Sequence, residues 1–381
     1  MALPNSEADV IAAISDAVAR NERLAIMSGG SKSAVGANID AAPLCLAGLE
    51  GVVDYDPAEL VLTVRPGTRL QDIETLLASE RQMLAFEPFD HGPIFGKAAG
   101  AATIGGVVAA GAAGSRRLSA GGARDHVLGL RAVSGRAETF VAGAKVVKNV
   151  TGYDLPKLAA NSWGRLFAIT ELTLKVLPRP EMATTVALSG LDAGKAVEMM
   201  AQAMGSQADV AAAAHQPSSP GKPALTCLRL EGFAPSVAAR SRLVEALLAP
   251  LGPVTLLDDD TAKAFWSDMQ TLSPLASDAP LWRINVPPSA SAPLVGALEA
   301  EGGQWLLDWA GGLIWLAFDG DSDPVRAAAA AAGGHAMLMR GSAGLRSTVP
   351  VFHPPVPAVA ALEERVRRAF DPAGVFETGR F

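Results

Sequence analysis

The chain has 381 residues, 49% of them hydrophobic and 19% charged, with a formal net charge of -7. This composition describes a folded chain long enough for two or three domains and excludes a disordered or fibrous one. Its acidity argues against a nucleic-acid partner, and its two distant cysteines, Cys45 and Cys227, exclude a disulfide framework, zinc ribbon or iron–sulfur cluster built by this chain alone.

Residues 6–20 follow helical spacing, with Ala8, Ile11, Ala12, Ile14, Ala17 and Val18 on the expected buried side. They lack the basic and apolar regions of a secretory signal, so a cytoplasmic location is expected. Residues 24–27 read as a short buried strand leading into a glycine turn, Ser28, Gly29, Gly30, Ser31, Lys32 and Ser33. Strands follow at 52–55 and 60–64, a helix at 69–78, and then an almost charge-free Gly/Ala run between Lys97 and Arg117. That run is barely long enough for a membrane span and poor in Leu and Phe, so no direct span is expected. A hairpin is expected over 127–133 and 139–141, and an alternating strand within 166–177.

Beyond the proline-rich break at 177–180, strand patterns at 184–188, 208–213, 225–231, 281–286, 304–309, 313–318 and 335–339 interleave with helical patterns at 192–204, 236–249, 290–301 and 323–332. This rhythm predicts an antiparallel α+β layer resembling two βαββαβ units, the ferredoxin-like arrangement. Residues 357–370 read as a final helix.

Two glycine turns, at 28–33 and 103–106, suit a cofactor with a pyrophosphate, because glycine admits positive φ and lets main-chain N–H groups form an anion-binding nest. Neither a Gly-x-Gly-x-x-Gly turn with its following acidic residue nor a P-loop occurs, so the turns belong to another fold.

The 27–32 turn, Arg65-Pro66-Gly67, Glu87-Pro88-Phe89-Asp90, Ala102 to Gly106, Arg124 to Gly129 and Ser162 to Val176 resemble, in this order, the FAD-binding domain of the vanillyl-alcohol oxidase and p-cresol methylhydroxylase (PCMH-type) flavoproteins. Within that superfamily, residues 111–117, 147–155, 175–180 and 370–376 look like the FAD-binding subunit of glycolate oxidase. The resemblance implies an α+β protein with a PCMH-type two-subdomain FAD-binding fold: a cofactor domain at 1–180, a cap at 181–345, and a C-terminal segment, 346–381, returning to the first domain. It implies non-covalent FAD held by Ser28, Gly29, Gly30, Ser31, Lys32, Ser33, Pro88, Phe89, Thr103, Gly105, Gly106, Gly114, Arg124, Asp125, Lys148, Asn149 and Ile169. Phe167 stands where the family usually has glycine, and His91 where it usually has proline; His91 is also the one nearby candidate for a covalent flavin link.

No catalytic residue is assigned; Lys148 and His353 are the candidates, Lys148 because a cation beside the flavin pyrimidine would stabilise its anionic reduced form. Arg116, Arg117 and Arg124 invite a phosphate or carboxylate role. The cap has only His215 and His335 and lacks the family's His-x-Gly-Asp-Gly-Asn signature, so no metal site is expected. The expected role is the FAD-binding subunit of a multi-subunit glycolate oxidase, with a homologous catalytic FAD subunit and an iron–sulfur subunit as partners and a small 2-hydroxy acid as the substrate of the complex. The assembly could touch the membrane through those partners. Two other readings stay open: a stand-alone FAD-dependent 2-hydroxy-acid dehydrogenase that grips its substrate with Arg283, Lys148 or His353, and a scaffold subunit with little or no flavin.

Overall fold

The computed structural model describes residues 3–144 and 153–381, which fall into two compact units. One comprises residues Met1–Gly114, Gly121–Arg179 and Pro354–Phe381; the other comprises Ser115–Ala120 and Pro180–His353. No helix among the described residues is long and apolar enough to cross a membrane.

The first unit starts with helix Glu7–Arg20, entered through a capping box of Ser6 and Asp9 and left through Asn21 in the left-handed region. Val10, Ile14 and Ala17, at i, i+4 and i+7, are its buried stripe, while Ala8, Ala12 and Val18 are exposed. The buried face is therefore rotated from the expected one, with Val18 left outside it. Strand β1 (Leu24–Met27) pairs in parallel with β2 (Ala42–Cys45), which local pattern did not announce. Next come β3 (Val52–Asp56), β4 (Val61–Val64), β5 (Gln82–Met83), β6 (Val127–Ser134), β7 (Thr139–Gly143), β8 (Phe167–Lys175) and β9 (Leu177–Pro178). An antiparallel sheet runs β3-β4-β8-β6-β7, and β5 pairs with β9.

Among the described residues, apolar clusters support this unit. Leu62, Val64, Ile104, Leu172 and Leu174 pack in one; Val10, Ile14, Leu24 and Leu44 pack with Val375 and Phe376 in another. The Gly/Ala run contains helix Ile104–Ala110 despite Gly105 and Gly106. Each glycine costs about 1 kcal/mol of helix propensity, and burial of Ile104, Val107 and Val108 outweighs that cost.

The second unit holds β10 (Met182–Ser189), β11 (Ala212–Gln216), β12 (Leu225–Gly232), β13 (Val254–Leu256), β14 (Leu281–Asn285), β15 (Gln304–Asp308), β16 (Leu313–Ala317) and β17 (His335–Arg340). With helices Ala193–Met204, Ala234–Leu248, Ser291–Ala300 and Ser322–Ala331 they spell βαββαβ twice. The sheet order is β13-β10-β12-β11-β15-β16-β14-β17, each half ordered 4-1-3-2 or its mirror, and the halves join where His215 on β11 faces Leu307 on β15. Val186, Leu228, Trp282, Ile314 and Leu316 point from one sheet face into the helix-side core. Strand β11 starts at Ala212 rather than 208, because the chain turns at Asp209 with φ of 48°. Helix Asp259–Thr271, capped by the Asp258 carboxylate accepting from Thr261 N–H, links the two repeats and was not anticipated.

Candidate functional site

A groove of about 850 Å³, including its mouth, crosses the first unit. Its walls are Ile26 and Met27, residues 28–33, Leu46 and Pro66, the start of helix Ile104–Ala110, residues 162–164, Phe167 and Ile169 on β8, and Arg380 with Phe381.

The 28–33 turn is shaped for an anion. Gly30 has φ of 69°, and the N–H groups of Gly29, Gly30, Ser31 and Lys32 make no hydrogen bond among the described residues. Four successive unspent main-chain donors form the nest expected of a phosphate turn. Ser28 Oγ and Thr103 Oγ1 line the same groove, buried and without a partner. A buried hydroxyl without a partner costs about 1–3 kcal/mol, so this pair of hydroxyls fits a polar ligand seated between them.

Other parts of the fold hold the turn in place. Lys97 Nζ donates to Gly30 O at 2.8 Å and also to Ser33 Oγ. A Cβ on Gly29 would overlap Ala101 O, so the two glycine segments lie in contact. From the far end of the chain, Arg380 donates to Val35 O at 2.8 Å and to Lys32 O at 3.0 Å, while Ala37 N–H donates to Arg380 O at 3.0 Å. Trp163, with φ of 55°, and Phe381 place their rings 5.3 Å apart at the same groove. Sequence reasoning missed Arg380, Phe381 and Trp163 as groove residues.

Burial brings the Lys32 ammonium down to about 8, with Asp90 opposing that shift. Asp90 is itself engaged, accepting from Gly92 and Gly100 N–H at 2.8 Å each.

Of the expected cofactor residues, Ser28, Gly29, Gly30, Ser31, Lys32, Ser33, Thr103, Gly105, Gly106 and Ile169 line the groove. The N–H of Gly105 donates to Pro66 O at 2.9 Å, so this glycine serves close packing rather than donation. Phe167, in place of the family's glycine, forms wall and packs edge-on against Phe140 at 5.2 Å.

Pro88, Phe89, Gly114, Arg124 and Asp125 do not line the groove. Phe89 stacks on buried His91 at 4.4 Å, and neither ring forms part of the wall. Gly114 is small because a Cβ would press on Glu87. Arg124 is exposed, and the Asp125 carboxylate closes its own turn by accepting from Gly122 N–H at 2.8 Å. Lys148 and Asn149 lie outside the described residues.

His353 belongs to the second unit, where its Nδ1 accepts from Ala336 N–H at 3.5 Å. Arg116 and Arg117 belong there too; Arg116 pairs with Glu231 at 3.3 Å, and Glu231 also takes Arg229 at 2.9 Å. His215 is a neutral core residue: burial lowers its pKa to about 4, Nδ1 shares a hydrogen bond with Thr226 Oγ1 at 2.8 Å, and its ring stacks on Trp305. Among the described residues no three His, Cys, Asp or Glu side chains gather in a metal-binding arrangement.

The family model described as an FAD binding domain matches residues 1–143, the segment that supplies both glycine turns of the groove. Glycolate oxidase subunit GlcE of Escherichia coli (strain K12) is 32% identical over 369 residues, covering 96% of this chain and 95% of that protein. The chain belongs to the GlcE family of glycolate oxidase subunits.

Outside the GlcE family, glycolate oxidase subunit GlcD of Bacillus subtilis (strain 168) is 34% identical over 135 residues, covering 35% of this chain and 27% of that protein. The crystal structure of p-cresol methylhydroxylase with substrate bound superposes with a TM-score of 0.75 at 12% identity, covering 99% of this chain and 87% of that one. The GlcE-family chain therefore has the PCMH-type α+β fold and binds FAD. Its free amides and orphaned hydroxyls fit the diphosphate of that cofactor.

Proposed function

We propose that this chain is the FAD-binding subunit of a multi-subunit 2-hydroxy-acid oxidase that converts glycolate to glyoxylate. Substrate oxidation takes place on a homologous catalytic flavoprotein subunit, and electrons leave through an iron–sulfur partner. In this reading residues 1–180 and 346–381 make up the cofactor domain and residues 181–345 the cap. The observation that carries it is the run of four unspent N–H groups at Gly29 to Lys32 beside the unpartnered hydroxyls of Ser28 and Thr103, in a chain similar to GlcE along nearly its whole length.

When bound, the flavin supplies a two-electron acceptor. The protein's own part is to hold the diphosphate with the 29–32 amides and the two hydroxyls, to balance its charge with Lys32, and to keep water from the cofactor with Ile26, Phe167 and Ile169. By resemblance, Lys148 and Asn149 join at the flavin ring, held without a covalent bond.

Anaerobic mixing with glycolate tests the division of labour. The FAD-loaded chain alone is expected to keep its oxidised visible spectrum, and to lose it within turnover time only when its partners are added. Bleaching of the isolated chain would instead establish the stand-alone dehydrogenase, and a chain that never takes up FAD would leave the scaffold reading.

Lys32 gives a second expected result. A nearby phosphate favours the ammonium form, so FAD binding above pH 8 must take up a proton that is already in place below it. Affinity should hold steady from pH 6.5 to 7.5 and weaken above 8 by up to about tenfold per unit. Lys32→Met should lower affinity and flatten that limb in a fluorescence titration; an unchanged slope would remove Lys32 from the phosphate site.

A further inference from the structure

The second unit carries a guanidinium that has no counter-charge among the described residues. Arg283 sits on β14, on the sheet face opposite Trp282 and Ile284, and its carbon lies 5.3 Å from the centroid of the Trp309 ring. Arg117 lies over the same ring at 5.8 Å. No carboxylate or carbonyl accepts from Arg283 among the described residues, and residues 145–152 contain no Asp or Glu.

Other half-buried arginines of this unit are satisfied. Arg326 donates to Phe352 O at 2.8 Å, and Arg340 donates to Ala279 O at 3.1 Å. Arg229, which also stacks on an indole, has the Glu231 carboxylate at 2.9 Å. Arg283 alone of these has only a ring beneath it. Burial, and then the like charge of Arg117, bring it down to about 10, so it remains cationic at neutral pH.

The ring itself is firmly placed. The Asp308 carboxylate accepts from Trp309 N–H at 2.7 Å and from Ser115 Oγ at 2.8 Å, fastening Trp309 and the Ser115–Ala120 segment to the end of β15. Trp309 and Ala310 both take left-handed φ, 53° and 56°, a conformation held only where surroundings dictate it.

Arg283 is half-buried by its solvent exposure; a partly desolvated charge without a partner is unfavourable unless an anion completes it, and a planar guanidinium matches a carboxylate with two parallel hydrogen bonds. We propose that Arg283, supported by Arg117 on the Trp309 ring, is a binding site of this chain for a small monocarboxylate. The cationic site stands on its own geometry, whereas its assignment to 2-hydroxy and 2-oxo acids rests on the functional reading above. It gives the chain a second ligand besides FAD.

Calorimetric titration of the purified full-length chain with glycolate, glycolamide and inorganic phosphate tests this, with flavin content and melting temperature read on every sample. Glycolate should saturate one site and neutral glycolamide should show no binding. Arg283→Met should weaken glycolate at least about 30-fold, the cost of removing one partner of a desolvated charge pair, with flavin content unchanged. Arg283→Lys should fall between, since an ammonium keeps the charge but not the fork. Arg117→Met should weaken binding several-fold. Equal binding of glycolamide, tighter binding of phosphate, no binding of glycolate, or an Arg283→Met chain within about twofold of the parent would each overturn the proposal. Flavin-free parent protein that still binds glycolate would sink the cofactor reading and leave this site standing.

Discussion

The Gly106→Leu chain is expected to purify folded and colourless. At Gly106 an added Cβ meets nothing closer than Thr103 Oγ1 at 3.4 Å, its φ is ordinary for a helix, and the residue lines the groove. Leucine there gains about 0.8 kcal/mol of helix propensity and pushes its branched end into the space left for the cofactor. Filling that space should cost the ligand about 3 kcal/mol or more, roughly a 100-fold loss of FAD affinity, with the melting temperature held or raised. Gly29 and Gly105 would be poor sites for the same test. A side chain at Gly29 runs into Ala101 O, and one at Gly105 comes within 2.6 Å of Pro66 Cβ, so either change disturbs the fold and the cofactor together. Flavin counting by absorbance against protein, alongside thermal melting, separates the cases. Stoichiometric FAD in the Gly106→Leu chain would show that the groove is not the cofactor site.

Local signals explain what could be read in advance. The 28–33 turn announces itself because glycine and serine follow directly on a buried strand, and the double βαββαβ rhythm is visible because strand and helix periods are properties of short windows. Features that depend on distant approach were silent. Besides the local Val35 N–H, Lys32 O accepts from Arg380, 348 positions away, and nothing around either residue signals that pairing. Helix Ile104–Ala110 was masked by its two glycines, since its helicity comes from burial rather than propensity. Asp308 looked like any strand end, although its carboxylate joins Ser115 to Trp309. The segment Ser115–Ala120 read as a continuation of the glycine run and instead belongs to the second unit, where Ser119 Oγ donates to Ala211 O at 2.7 Å. Helix Asp259–Thr271 did carry a cue, the Asp258 cap followed by Asp259 and Asp260 in its first turn, of the kind that marks helix starts.

Asp371→Ala is expected to produce the largest loss of stability among single changes outside the groove, and to release FAD as a consequence. Asp371 is 2% exposed, and its carboxylate accepts from Val375 N–H at 2.9 Å and Phe376 N–H at 2.7 Å. Those two residues fill the core beneath β1, and Val375 O accepts from Leu24 N–H at 2.8 Å at the first residue of that strand. Gly135 is held against the carboxylate so closely that a Cβ would overlap it. Removing the carboxylate strands two buried N–H groups at about 1–3 kcal/mol each and opens space beside Gly135. A fall in melting temperature on the order of 3–8 °C follows for a chain of this size. The same segment runs on to Arg380, whose guanidinium grips Lys32 O and Val35 O, so loosening its anchor frees the phosphate turn as well. Arg380→Ala separates the two effects: the Asp371 anchor stays, the melting temperature should move little, and FAD should bind at least about tenfold more weakly because the turn loses two of its restraints. If Asp371→Ala melts with the parent, the C-terminal segment is not what holds β1; if Arg380→Ala keeps full FAD affinity, the 28–33 turn holds its shape without help from the end of the chain.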